Sequence, residues 1–114
     1  MDELVDQVSS NTGLDPETAR RAIGIVFKFL LSEGKGDEVQ ELIKSLPGSQ
    51  EAVAAAPDLG GGVMGVFKTL TSAGLGMGEI QGVTREFIAF AKAKVGEEPV
   101  REIIGSIPGL NQFV

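Results

Sequence analysis

The chain contains no cysteine, no histidine, no tryptophan and no tyrosine. Without cysteine there are no disulfides, and cysteine usage carries no information about redox compartment. Losing imidazole and thiolate together excludes structural zinc, histidine-held haem and iron–sulfur clusters. It also removes the usual activating base for a nucleophilic serine. Six phenylalanines are the only aromatic residues, so the core must be built from Leu, Ile, Val, Ala and a few Phe. Such a core favours close helix packing over large ligand cavities.

Long apolar runs are missing as well. The most apolar stretch, AIGIVFKFLL at 22–31, is ten residues long and contains Lys28; a membrane-spanning helix needs about twenty. The opening MDELVD is acidic where a secretory signal is basic and then apolar. These features predict a soluble, cytoplasmic chain without a transmembrane helix. Basic clusters are scarce: Arg20-Arg21 and Lys92/Lys94 stand against a net charge of −6. An acidic surface repels phosphate backbones, so nucleic acid is a poor partner.

What is present is a repeat. Residues 39–48, VQELIKSLPG, return at 100–109 as VREIIGSIPG, with six identities and two Leu/Ile exchanges in ten positions. At that offset of sixty-one, residues 1–53 lie over 62–114 and share eleven positions, among them Val5/Val66, Gly13/Gly74, Leu14/Leu75, Phe29/Phe90 and Val53/Val114. Glu41/Glu102 and Ser45/Ser106 match where apolar periodicity makes no demand. The spacing reads as repeat one at 1–53, a Gly/Pro linker at 54–61, and repeat two at 62–114. Both chain ends fall at repeat boundaries, so little is expected to be missing. The charge is uneven: repeat one carries ten acids against five bases, repeat two five against five.

A length of 114 residues suits one domain with a single modest core. Leu4, Val5 and Val8 share a helical face in residues 2–10. Asp15-Pro16-Glu17 is a helix start, with Asp as N-cap and Pro at the first position. The helix it opens runs to about Glu33, with Ala19, Ala22, Ile23, Val26 and Leu30 on one stripe and Ile25 and Phe29 widening it, which places it centrally. Asp37 opens a short helix carrying Val39, Leu42, Ile43 and Leu46 inward until Pro47 stops it; residues 49–55 suit one or two more turns. The second half follows the same plan: a Gly-rich helix at about 63–73, a long one from about 78 to 95 bearing Ile80, Val83, Phe87, Phe90 and Ala91, and a short one from Glu97. Its caps are weaker and its glycines more frequent, so it is the half expected to be more mobile. The fold class is therefore all-α: a compact bundle of about six helices built from two pseudo-symmetric three-helix halves.

No motif yields a catalytic, cofactor-binding or metal-binding residue. Gly60-Gly61-Gly62-Val63-Met64-Gly65 fits G-x-G-x-x-G formally, but EAVAAAPDL before it is no buried strand, so a flexible linker is the better reading. The carboxylate groups Asp2/Glu3/Asp6, Asp37/Glu38/Glu41 and Glu97/Glu98/Glu102 lie in first turns, where acids complement the helix dipole, and none has calcium-loop spacing. Ser45 and Ser106 have no histidine, and no S-x-x-K spacing offers Lys44 or Lys92 as a substitute base. Phe113-Val114 suits packing onto the bundle better than docking in a partner. Gly24 and Gly82 interrupt helices at a cost of about 1 kcal/mol each relative to Ala, which close helix–helix approach, within the chain or across a dimer, would offset.

The order Gly13-Leu14, Leu46-Pro47-Gly48, Ala56-Pro57, Gly60-Gly61-Gly62 and Gly74-Leu75 resembles the uncharacterised bacterial VcgC/VcgE-like family over most of the chain. That resemblance implies an all-helical fold with no established activity. Members with an export signal are expected there, and this chain departs from them by starting at an acidic helix. Two functions remain in competition. The first is a non-enzymatic interaction or structural module that associates with itself or another protein. The alternative is a binder of a small apolar or lipid-like ligand between the halves, with the Met64- and Met77-containing stretch 60–78 as an adaptable lid. An enzyme working through carboxylates and lysine alone ranks third.

Overall fold

Two turns set the frame of the molecule, at Gly13 and at Gly74. A computed structural model of the chain describes residues 2–33, 36–44, 48–56 and 62–106, and every regular element within them is an α-helix. α1 (Asp2–Thr12) buries Leu4, Val5 and Val8 and stops where Gly13 takes φ +78°. The Gly13 N–H donates to the Ser9 carbonyl at 2.9 Å, and the Ser9 hydroxyl donates to the Leu14 carbonyl at 2.6 Å. A left-handed residue just past the helix satisfies otherwise unpaired carbonyls in this way, and glycine does so without strain. Leu14 then turns inward, 7% exposed.

α2 (Pro16–Glu33) starts as the sequence requires: the Asp15 carboxylate accepts the Glu17 N–H at 3.2 Å, with Pro16 in the first turn. It is buried around most of its circumference and packs against five other helices, which makes it the axis of the core. α3 (Gly36–Lys44) buries Ile43. The other positions expected to face inward from this segment, Val39, Leu42 and Leu46, lie outside the described side chains, as does the Pro47 stop. α4 (Ser49–Ala55) follows Gly48 at φ +91° and enters the span assigned to the linker, because Ala54 and Ala55 are strong helix formers. It ends at Ala56, which is extended (φ −72°, ψ 143°), the conformation favoured before a proline. α4 supplies the one or two further turns expected at 49–55. It lies hard against α2: a Cβ on Gly24 would stand 2.5 Å from the Ala52 carbonyl oxygen.

α5 (Gly62–Ser72), α6 (Met77–Val95) and α7 (Glu97–Ser106) complete the chain. Gly74 takes φ +102° and Leu75 is 2% exposed, just as Gly13 is left-handed and Leu14 buried. The start of α6 is better held than its glycines suggested, since Glu79 reaches back to accept the Gly76 N–H at 2.8 Å. The α1 helix packs more extensively on α6 than on α2, and α5 more on α2 than on α6. Each short first helix thus crosses to the long helix from the other side of the linker. On α6, Gly82 admits the Thr12 methyl, Glu86 accepts a hydrogen bond from Gln7 at 2.7 Å, and Lys94 approaches Glu3 at 3.9 Å. The close approaches at Gly24 and Gly82 are both made within the chain. Phe27 and Phe87 meet edge to face, 4.9 Å between centroids, joining the two long helices at the centre.

Candidate apolar cavity beside α5

A gap in this packing is lined, among the described residues, almost wholly by hydrocarbon. Val26, Phe29 and Leu30 of α2 form its floor, Val66, Phe67 and Leu70 of α5 one wall, and α6 and α7 the remainder, through Ile80, Thr84, Phe87, Ile88, Ala91, Val100, Ile103 and Ile104. Its volume is about 60 Å³. Among the described lining residues none carries a charge, and Thr84 alone is polar, its hydroxyl donating to the Ile80 carbonyl at 2.9 Å. Among the described residues no buried side-chain nitrogen or oxygen lacks a partner, so no unsatisfied polar group waits for a ligand headgroup. What the gap can do is take up hydrocarbon.

The gap lies between the two long helices, with Phe29 and Leu30 of α2 on one side and Phe87 and Ala91 of α6 on the other. Sequence patterning marked Ile80 and Phe87 as core, but it gave no signal for the gap between them.

The carboxylate groups do not converge. Glu97 accepts from Arg101 at 2.9 Å one turn along α7, with Glu98 at 3.9 Å from the same guanidinium, and all three side chains are exposed. Glu3, Asp6, Asp37, Glu41 and Glu102 are likewise at the surface, and no group of three acids within metal-binding reach exists among the described residues. The side chains of Asp2, Glu38, Ser45 and Ser106 lie outside the described set, as do Phe113 and Val114. Gly60 and Gly61 lie outside it too, while Gly62 and Gly65 belong to α5. The nearest described element before them is the helix α4, not the strand a dinucleotide fold needs. Met64 and Met77 face solvent, 74% and 58% exposed, so neither lines the gap. In this stretch the residues that line the gap are Val66, Phe67 and Leu70. No described helix is long and apolar enough to cross a membrane.

Compared with protein-family models, curated proteins and solved structures, the chain matches none.

Proposed function

We propose that the protein is a non-enzymatic binder of a small apolar ligand, held where α2 meets α5, α6 and α7. The observation that carries this reading is the gap of about 60 Å³ whose walls are hydrocarbon apart from one committed hydroxyl. A dry apolar cavity lined by Leu, Ile and Phe takes up benzene at about 150 Å³, and preformed ligand pockets run to a few hundred. The resting space is smaller than either, so binding requires a wall to yield. A ligand seated here is recognised by shape and hydrophobicity, and a charged headgroup would have to stay in water.

We further read the fold as a duplicated unit, which puts the cavity between its two copies. Support comes from the matched turns at Gly13 and Gly74, the buried Leu14 and Leu75, and the starts of α2 and α6 at Pro16 and Met77, each pair sixty-one residues apart. Kinship with VcgC/VcgE-like proteins belongs to the same reading and rests on those turn residues. In this view the crossing of α1 and α5 satisfies within one chain the association that the broad apolar face of α2 suggested between chains. A protein-interaction role is the second reading, favoured by the two exposed methionines, since methionine is common at adaptable binding surfaces.

Native mass spectrometry of freshly purified protein, joined to titration with the apolar fluorophore 1-aminoanthracene, tests the proposal. A co-purifying small molecule, or saturable probe binding with a stoichiometry of about one, supports it. No adduct together with no saturable binding overturns it.

A further inference from the structure

We infer that α5 is the movable wall of this cavity, and that its inward residues Val66, Phe67 and Leu70 select which apolar molecules enter. The inference rests on the ligand-binding reading above and names the element that gates the site. Some wall must yield, because the resting space of about 60 Å³ is smaller than the ligands it would hold.

The four helices around the gap are unequally held. α2 is gripped by five neighbours, and α6 is tied to it through the Phe27–Phe87 contact. α7 sinks Val100 and Ile103 into the core, at 3% and 4% exposure. Among the described residues α5 packs mainly on α2 with a lighter contact to α6, about as extensively as α7 packs on α6 and α3, and it too buries two residues, Val66 and Leu70.

Its sequence, GVMGVFKTLTS, is also the poorest helix former of the four. Gly62 and Gly65 weaken it, and two threonines lower its propensity further. The hydroxyls of Thr69 and Thr71 turn back to the Gly65 and Phe67 carbonyls, each at 2.9 Å, a pattern that loosens and bends helices. No acid occupies its first turn and no base its last, whereas α6 has Glu79 at one end and Lys92 and Lys94 at the other. Beyond its C-terminal end, Gly74 stands at φ +102° with no heavy atom within 4 Å of where a Cβ would be. The turn is closed by the Gly74 N–H on the Thr71 carbonyl at 3.0 Å and the Leu75 N–H on the Leu70 carbonyl at 3.2 Å, so the weakness lies in the helix before it. A weak helix, packed mainly on α2, thus forms one wall of the apolar gap that needs to open.

The cysteine-free chain allows spin labels to be placed at will. One doubly labelled variant carries Lys68→Cys on α5 and Lys92→Cys on α6; a second carries Arg21→Cys on α2 with Lys92→Cys. All three positions are exposed. Pulsed electron–electron resonance is recorded with and without saturating 1-aminoanthracene, and binding is measured separately by the probe's fluorescence. The expected result is saturable binding with the 68–92 distance shifted by about 2 Å or more and the 21–92 distance unchanged. Binding with both distances fixed overturns the gate and leaves the cavity reading standing. Binding with both distances shifted overturns the gate as well, because the bundle then opens elsewhere. Absence of binding overturns the cavity reading itself, and the gate falls with it.

Discussion

Gly24 and Ala52 approach so closely that a Cβ on the glycine would lie 2.5 Å from the alanine carbonyl oxygen and 2.9 Å from its carbon. The obstacle is backbone, which cannot rotate aside. Gly24→Ala therefore sets a gain of about 1 kcal/mol in helix propensity against a displacement of α4 from α2. Overpacking of this kind costs about 1–3 kcal/mol and occasionally more. Because the obstacle is backbone the cost falls in the upper part of that range, about 2–3 kcal/mol, and the expected net effect is destabilisation by about 1–2 kcal/mol, seen as a lower midpoint in equilibrium urea unfolding with the slope unchanged. A variant as stable as the parent would mean that α4 does not hold its place on α2 in solution.

Gly82 makes the opposite case. Its obstacle is the Thr12 Cγ2 at 2.8 Å, the end of a side chain whose hydroxyl donates to the Val8 carbonyl at 2.6 Å and accepts the Leu14 N–H at 3.3 Å. Gly82→Ala should thus lie within about 1 kcal/mol of the parent, the propensity gain offsetting the crowding. Thr12→Ser removes the methyl and keeps the hydroxyl, so adding it to Gly82→Ala should restore or raise stability. Alone, it should do little. A double-mutant cycle by urea unfolding reads the coupling directly, and additive effects would show that the methyl is not the obstacle.

The two left-handed turns at Gly13 and Gly74 lend themselves to a paired test. Both adopt left-handed backbone, at φ +78° and +102°, and neither has a heavy atom within 4 Å of where a Cβ would stand. With no packing clash to separate them, Gly13→Ala and Gly74→Ala should each cost about 1–2 kcal/mol, the strain of a left-handed alanine. Thermal unfolding checks this: each variant should melt about 4–8 °C lower per kcal/mol lost, as for a domain of this size. Costs that differ by several kcal/mol would show that the two turns do different structural work.

These comparisons also show why the sequence disclosed some features and hid others. The Asp15-Pro16 start, the central role of α2 and the burial of Ile80, Val83, Phe87, Phe90 and Ala91 were legible because they depend on local capping and on helical period. The cap on α6 was missed although its signal was present: Glu79 stands three residues after Gly76, the spacing from which a carboxylate reaches back to an N–H. The crossing of α1 to α6 and of α5 to α2 was not legible, because period fixes which face of a helix is apolar but not which partner covers it. The cavity was hidden for the same reason. It depends on how four helices meet around side chains such as Leu30 and Ala91, which both line it.

The edge-to-face contact of Phe27 with Phe87 should couple the two long helices energetically. Phe27→Leu and Phe87→Leu each remove half of a pair worth about 0.5–1.5 kcal/mol beyond its buried area. A double-mutant cycle in urea should return a coupling in that range. Zero coupling would mean that the rings share a core without supporting each other.

The last prediction separates the proposed site from the core that surrounds it. Ala91 is 3% exposed and lines the gap, so Ala91→Val adds two carbons to a wall that faces about 60 Å³ of empty space. Filling a void commonly stabilises by about 0.5–2 kcal/mol, partly offset here by the lower helix propensity of valine. Thr84→Val removes the one hydroxyl in the lining while nearly keeping its shape. The Ile80 carbonyl retains the Thr84 position's backbone N–H as its helical donor, so no buried acceptor is orphaned. Both variants should therefore be at least as stable as the parent, yet they should differ in binding. Ala91→Val should weaken 1-aminoanthracene binding about tenfold, the effect of some 1.4 kcal/mol, whereas Thr84→Val should leave it equal or tighter. Fluorescence titration beside urea unfolding gives both readings. If Ala91→Val binds as the parent does, the ligand sits elsewhere and the gap is only a packing defect.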